Sequence, residues 1–215
     1  MSIAKVRAIS DGRIMGDGVR HKAREIEREI WDAYRVAESL GIAVDSNYDL
    51  RQPEDFDLCI AIASVLRHFQ SEASERHIQF KRDFPDRPVF VWGEKSAIMQ
   101  AVGQLISNAI KYSFGGNNVT VLVSERRDDI LIRVSEKGIP LPDDPELKQI
   151  WDFGFRGQNA KDRHVNGSGI GLYSVKKIVT AHHGWVDASH QNGITDFFIH
   201  LPTKATLTKD FGILL

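Results

Sequence analysis

Residues 100–112, QAVGQLISNAIKY, lie in a run from Glu94 to Tyr112 whose apolar positions recur every three or four residues. At about 100° per residue, Ile98, Val102, Leu105, Ile106, Ala109 and Ile110 share one broad face, which marks an amphipathic helix. Gln100, Gln104, Asn108 and Lys111 fall within about 80° of one another, so a polar stripe adjoins the apolar face instead of opposing it. An amide oxygen suits a hard cation and a lysine ammonium suits phosphate oxygens, so the stripe has the composition of a site for a magnesium-bound polyphosphate. A solvated helix face carries the same residue types.

On the C-terminal side, Gly115 to Asn118 stops that helix. Val119 to Glu125 and Ile130 to Val134 read as two strands of a hairpin joined at Arg127 to Asp129, and Gly184 to His190 and Ile194 to Leu201 read as a second pair around Gln191-Asn192-Gly193. On the N-terminal side, Ile78 to Phe84 and Val89 to Trp92 read as short strands around the turn Pro85 to Pro88. Asp55 or Asp57 caps a helix running through Leu66 and Phe69 to about Arg76, with Arg51 to Glu54 as a connector. Ile26, Ile30, Ala33, Ala37 and Leu40 mark an earlier amphipathic helix ending at Gly41, which needs a partner surface in this chain or a second copy. About six strands and three helices from residue 55 to 203 predict an α+β fold, a two-layer α/β sandwich preceded by an N-terminal helix.

Between Gly138 and Gly167 lie three prolines, mixed charge and little periodicity, which predicts a long loop with one short helix near Glu146 to Trp151. It ends in Gly167-Ser168-Gly169-Ile170-Gly171-Leu172, followed directly by a helix from Gly169 to His183 with apolar Leu172, Val175, Ile178 and Val179. Glycines allow close backbone approach, and the free amides of a helix start attract phosphate, so the turn is a plausible phosphate cradle. The dinucleotide fingerprint needs glycine where Leu172 stands, and GxxxxGK[ST] is absent, so two other phosphate-binding patterns do not fit.

Charge balance, 28 basic against 29 acidic side chains with a net charge of −1, gives no long-range field for nucleic acid or an anionic membrane surface. No apolar run approaches the ~20 residues that span a bilayer, which predicts no membrane contact and a cytoplasmic chain, as part of a longer sensor protein or by itself. The single cysteine, Cys59, sits in an apolar run and reads as core, in keeping with a reducing compartment. The eight histidines show no metal-ligand spacing.

Taken in order, Gln104 to Tyr112, Ile150 to Gly157 (IWDFGFRG) and Gly167 to Lys177 (GSGIGLYSVKK) resemble the catalytic ATP-binding domain of sensor histidine kinases, in the superfamily that also holds gyrase and chaperone ATPases. The resemblance covers roughly residues 55 to 203 and implies a Bergerat-type sandwich. It implies the organisation 1–18 lead-in, 19–54 helical dimerisation-like segment, 55–203 ATP-binding kinase domain and 204–215 C-terminal tail. It also implies ATP and Mg²⁺ as cofactors in two-component signalling, with γ-phosphoryl transfer to a histidine. By position, Asn108 would hold Mg²⁺, Lys111 would touch the phosphates and Tyr112 would line the ribose or adenine. Gly167, Gly169 and Gly171, with Leu172 beside them, would wrap the phosphates, while Arg156 and Arg163 would act from a lid.

Gln104 stands where the kinases place Asn and the related ATPases a water-activating Glu. A neutral amide does not take up a proton in that way, which disfavours hydrolysis. The family's adenine motif, Asp-x-Gly-x-Gly, reads here Glu136-Lys137-Gly138-Ile139-Pro140, with a longer carboxylate and a proline for the second glycine. Partners implied are a response regulator or a phosphoacceptor histidine domain, and a homodimer through the N-terminal helix. His21 heads that helix, but only one helix fits between it and Phe56, so the acceptor is expected upstream or on another protein. The contrasting expectation is a degenerate, non-catalytic interaction module of the same fold that regulates a partner.

Overall fold

The computed structural model describes residues 22, 26, 33, 37, 39–42, 45, 50–144, 146–162 and 168–213. His21, Arg163 and Gly167 lie outside the described residues. Five strands form the main sheet in the order β2 (Gln79–Asp83), β4 (Asn118–Glu125), β5 (Asp129–Lys137), β7 (Ile194–Pro202) and β6 (Trp185–Gln191). The pairing of β2 with β4 is parallel and the rest are antiparallel. A two-stranded ribbon of β1 (Glu54–Asp57) and β3 (Phe90–Gly93) stands apart from it. The sequence turn at Pro85 to Pro88 therefore does not join a hairpin. It carries the chain from one sheet to the other, and β1 arises at residues that the sequence reads as the end of a connector, Glu54, and as the candidate helix caps Asp55 and Asp57.

Three long helices form the second layer: α1 (Leu58–Glu75), α2 (Lys95–Tyr112) and α4 (Gly171–Ala181). Asp57 caps α1, its Oδ1 accepting from the amides of Cys59 and Ile60. The α2 face expected from the sequence is the one that is buried: Val102, Leu105, Ile106 and Ile110 have no exposed surface. Each such side chain contributes about 1.5–3 kcal/mol by leaving water. Opposite it, Ile130, Ile132 and Val134 of β5 pair with Leu201, Ile199 and Phe197 of β7, the inward row of the alternation. The same parity carries on to Glu136 and Thr195, so the last inward pair of the row is polar.

The long segment after β5 holds a 3-10 helix (Glu146–Trp151) and a short helix α3 (Gln158–Asp162). Residues 204–211, read as tail, form α5 (Lys204–Phe211), capped by the Thr203 hydroxyl and closed by Gly212 at φ 67°. Ile26, Ala33, Ala37 and Ser39 to Ile42 are helical, as the N-terminal periodicity implies.

His182 locks α4 to the start of α2. Its Nδ1–H donates to the Ile178 carbonyl (2.7 Å), and Nε2 accepts from the Glu94 amide (3.0 Å), which fixes one neutral tautomer. A Cβ on Gly93 would sit 2.5 Å from this ring, so only glycine fits beside it. Burial lowers the His182 pKa from its ordinary 6.5, the Ile178 carbonyl and Glu94 opposing. With the folded value depressed, the unfolded chain binds the extra proton. This contribution is complete above 6.5 and is lost as pH falls from there towards the folded value. The urea midpoint is expected to fall on acidification from pH 7.5 to 5.5, and to fall less in His182→Gln. Equal slopes in the two proteins would show that His182 carries none of the effect.

Candidate functional site

The end of α2 is stitched to the end of β5. Ile139 donates its amide to the Tyr112 carbonyl, Phe114 donates to the Lys137 carbonyl, and Ser113 and Gly138 form an isolated antiparallel bridge. A Cβ on Gly138 would lie 2.2 Å from the Tyr112 oxygen and 2.3 Å from Glu136 Oε2, so the absence of a side chain permits the junction. Arg76, at the end of α1, donates through Nη1 to the Ile110 and Lys111 carbonyls (2.8 and 3.0 Å) and satisfies the last turn of α2.

A cleft of about 660 Å³ opens beside this junction. One wall is the polar stripe of α2, where Gln104, Asn108, Lys111 and Tyr112 line the space. Glu136, Ile139 and Pro140 form the floor where β5 ends, and Phe155 and Arg156 approach from the loop. Gly169, Gly171 and Leu172 close the far end. All but two of the described residues named above as candidates line one cleft. Gly138 sits behind the wall, supporting Tyr112 and Glu136, and Gln100 lies one turn short of it.

Gly169 has φ +72°, and a Cβ there would lie 2.6 Å from the Gly154 carbonyl carbon. The Gly154 amide donates to the Gly169 carbonyl (3.1 Å), so the glycine turn is pinned to the loop segment that carries Arg156. The N-terminus of α4 has no side-chain cap, and its first residues, Gly171 and Leu172, line the cleft end. A helix start of this kind favours an anion.

Two electrostatic perturbations accompany this geometry. Burial raises the Tyr112 pKa, while the nearby Arg156 charge acts to lower it. Burial also pushes the Glu136 carboxyl up to about 8, with a hydrogen bond from Thr195 opposing.

Several lining residues escaped the sequence reading. Thr195 faces Glu136 across the sheet, a position its parity in β7 would have given once the register was known. Asn159 of α3 donates to the Pro140 carbonyl (3.2 Å) and ties the loop to the floor. Ser39 reaches the cleft from the N-terminal helix and is 1% exposed. Gln104 Nε2 donates to its hydroxyl (2.8 Å) and Ser174 donates to its carbonyl (2.9 Å). Lys177 donates to the Ile42 and Asp45 carbonyls, so the end of that helix is anchored on α4. No motif marked Ser39.

Residues 93–205 match the family model described as histidine kinase-, DNA gyrase B-, and HSP90-like ATPase. The sensor histidine kinase WalK of Bacillus subtilis (strain 168) is 35% identical over 141 residues, which are 64% of this chain and 23% of that protein. The sensor protein kinase WalK of Staphylococcus aureus is 31% identical over 173 residues, 78% of this chain and 40% of that protein. The chain thus spans about a quarter to two-fifths of these relatives' length. Among solved structures, a mycobacterial sensor histidine kinase, MprB, matches with TM-score 0.60 and 27% identity over 70% of this chain and 97% of that one. The histidine kinase ThkA, solved in complex with the response regulator protein TrrA, matches with TM-score 0.67 and 17% identity over 94% of this chain and 55% of that one. The fold is therefore of the Bergerat type, and the chain belongs to the histidine kinase-, DNA gyrase B- and HSP90-like ATPase family, on the side of the sensor histidine kinases.

Proposed function

We propose that the chain is the catalytic domain of a two-component sensor kinase, which binds Mg-ATP in the cleft beside α2 and passes the γ-phosphoryl group to a histidine. The observation that carries this reading is that three sequence motifs, spread from Gln104 to Leu172, line one cleft between a polar helix face and an uncapped helix start. Adenine lies at the Glu136 end, against Tyr112 and Ile139. The phosphates run along α2 towards Gly169, Gly171 and the first amides of α4. Lys111 and Arg156 neutralise phosphate charge.

The donor set fits magnesium: Asn108 offers a neutral amide oxygen on the phosphate side of the cleft, and a hard cation takes its remaining ligands from phosphate and water. When bound, the cation supplies charge neutralisation at the phosphates. Transfer joins the attacking imidazole nitrogen to the γ-phosphorus and breaks its bond to the bridging oxygen, which leaves with ADP. The protein's part is positioning and charge stabilisation. Gln104 takes up no proton, which suits an incoming imidazole better than a water that must be deprotonated. The acceptor histidine lies on another segment or protein, and a response regulator is the downstream partner, as TrrA is the partner in the ThkA complex.

Saturating Mg-ATP, at about 100 times Kd, is expected to stabilise the folded chain by about 2.7 kcal/mol and to raise its thermal midpoint by several degrees. Asn108→Ala should remove most of that shift. No shift at millimolar nucleotide would overturn the reading. Radiolabel from γ-labelled ATP should appear on a histidine-bearing acceptor as an acid-labile, base-stable phosphoprotein. Gly138→Ala, which forces a methyl group against the Tyr112 carbonyl, should cost about 1–3 kcal/mol in chemical denaturation and weaken ATP binding as well.

A further inference from the structure

Among the described residues of the N-terminal helix, Ser39 alone lines the cleft, beside Gln104, Gly171 and Leu172. Its position is fixed from α4. The buried Ser174 hydroxyl donates to the Ser39 carbonyl (2.9 Å), and Lys177 donates to the Ile42 carbonyl (3.2 Å) on the next turn. The Ser39 hydroxyl is therefore a fixed point, in a residue 1% exposed, to which the Gln104 amide donates through Nε2 (2.8 Å). The other end of that amide, Oε1, lies 3.0 Å from where a Cβ on Gly171 would stand, beside the first residue of α4.

This pairing leaves two groups unused. Ser39 accepts from Gln104, so its own O–H has no acceptor and Gln104 Oε1 has no donor among the described residues. A hydroxyl is donor and acceptor at once, and the terminal torsion of glutamine is roughly two-fold, so the amide can turn over without leaving Ser39. Turned over, Oε1 accepts from the Ser39 O–H, and the NH₂ group faces the start of α4. The first orientation presents an oxygen where a helix start favours an anion, and the second presents N–H donors there.

We propose that Ser39 is a positioning residue for the terminal phosphate: its hydroxyl holds the Gln104 amide in either orientation, and with a triphosphate bound it holds the inverted one, in which Gln104 donates to the γ-phosphate. This rests on the reading above that the phosphates run along α2 to the start of α4. A diphosphate ends short of Gln104, so the pair discriminates ATP from ADP. Ser39 belongs to the N-terminal helix and Gln104 to α2, so the discrimination depends on how that helix is seated on α4. By linkage, a triphosphate then strengthens the seating more than a diphosphate does.

Calorimetric titration of the chain with Mg-ATP and Mg-ADP is expected to show a preference for ATP that falls about fivefold in Ser39→Ala, with ADP affinity within about twofold of wild type. Gln104→Ala should lose the same preference. Adding Ser39→Ala to it should change the ATP to ADP ratio by less than about twofold, since Ser39 acts through Gln104. A purely structural loss would weaken both nucleotides together. The wild-type chain supplies a second readout that needs no variant to fold: the side-chain NH₂ resonances of Gln104 should move downfield with Mg-ATP and hold their position with Mg-ADP. An ATP to ADP ratio unchanged in Ser39→Ala, losses that add in the double variant, equal weakening of both nucleotides, or Gln104 resonances indifferent to the γ-phosphate would each overturn the role of Ser39 and leave the nucleotide reading standing. Wild-type binding of neither nucleotide would overturn both.

Discussion

Burial of one face of α2 is the constraint on which the remaining structure hangs. Ile98, Val102, Leu105, Ile106, Ala109 and Ile110 are all but inaccessible, and rotating the helix by one residue would expose several of them at a cost of kilocalories each. The rotation of α2 is thereby fixed by apolar contacts alone. Because the polar stripe lies beside that face, the side chains of Gln104, Asn108 and Lys111 inherit an orientation that no polar interaction has to establish. The site is rigid because the core is dense.

The same sheet that receives α2 also sets the chemistry at the opposite end of the cleft. Alternation along β5 brings one carboxyl into the inward row, and the α2–β5 stitch at Tyr112 and Gly138 seals it from water. A single parity along the strand thus has two products: apolar packing at Ile130 to Val134, and a polar group of altered acidity at Glu136. The phosphate end is built differently, from an uncapped helix start and a left-handed glycine, with backbone groups as the expected donors. One half of the cleft relies on desolvation and the other on the helix terminus.

Much of this was legible in the sequence because periodicity reports burial directly. The α2 stripe, the β4–β5 hairpin, the glycine turn and α4 all have strong local signals, and nearly all the described candidate residues meet in the cleft. Pairing between distant segments has no such signal. The residues of β1, EDFD, contain a single apolar side chain, and β2 is mostly exposed and charged at a sheet edge, so neither announces its partner. The parallel union of β2 with β4 joins strands that β3 and α2 separate along the chain, a tertiary choice. For α5 local signals did exist: Thr203 as cap and Gly212 as stop flank it, but its weak apolar character masks them. Ser39 is illegible for another reason, since a small polar residue near a helix end acquires meaning only from Gln104 and Ser174 across the fold.

The strands β5 and β7 lie side by side in the sheet although residues 138 to 193 intervene between them. The later part of that excursion supplies α4 and β6, but the part before α4 contributes no strand to the sheet among the described residues, so the length of that part is not tied to the spacing of the strands. Extra residues there add only a slowly growing closure entropy, about 0.6 kcal/mol for each doubling. Insertions and deletions in this segment can accumulate over evolution while the sheet and the buried face of α2 stay as they are, which makes the covering of the cleft the part of the architecture freest to diverge.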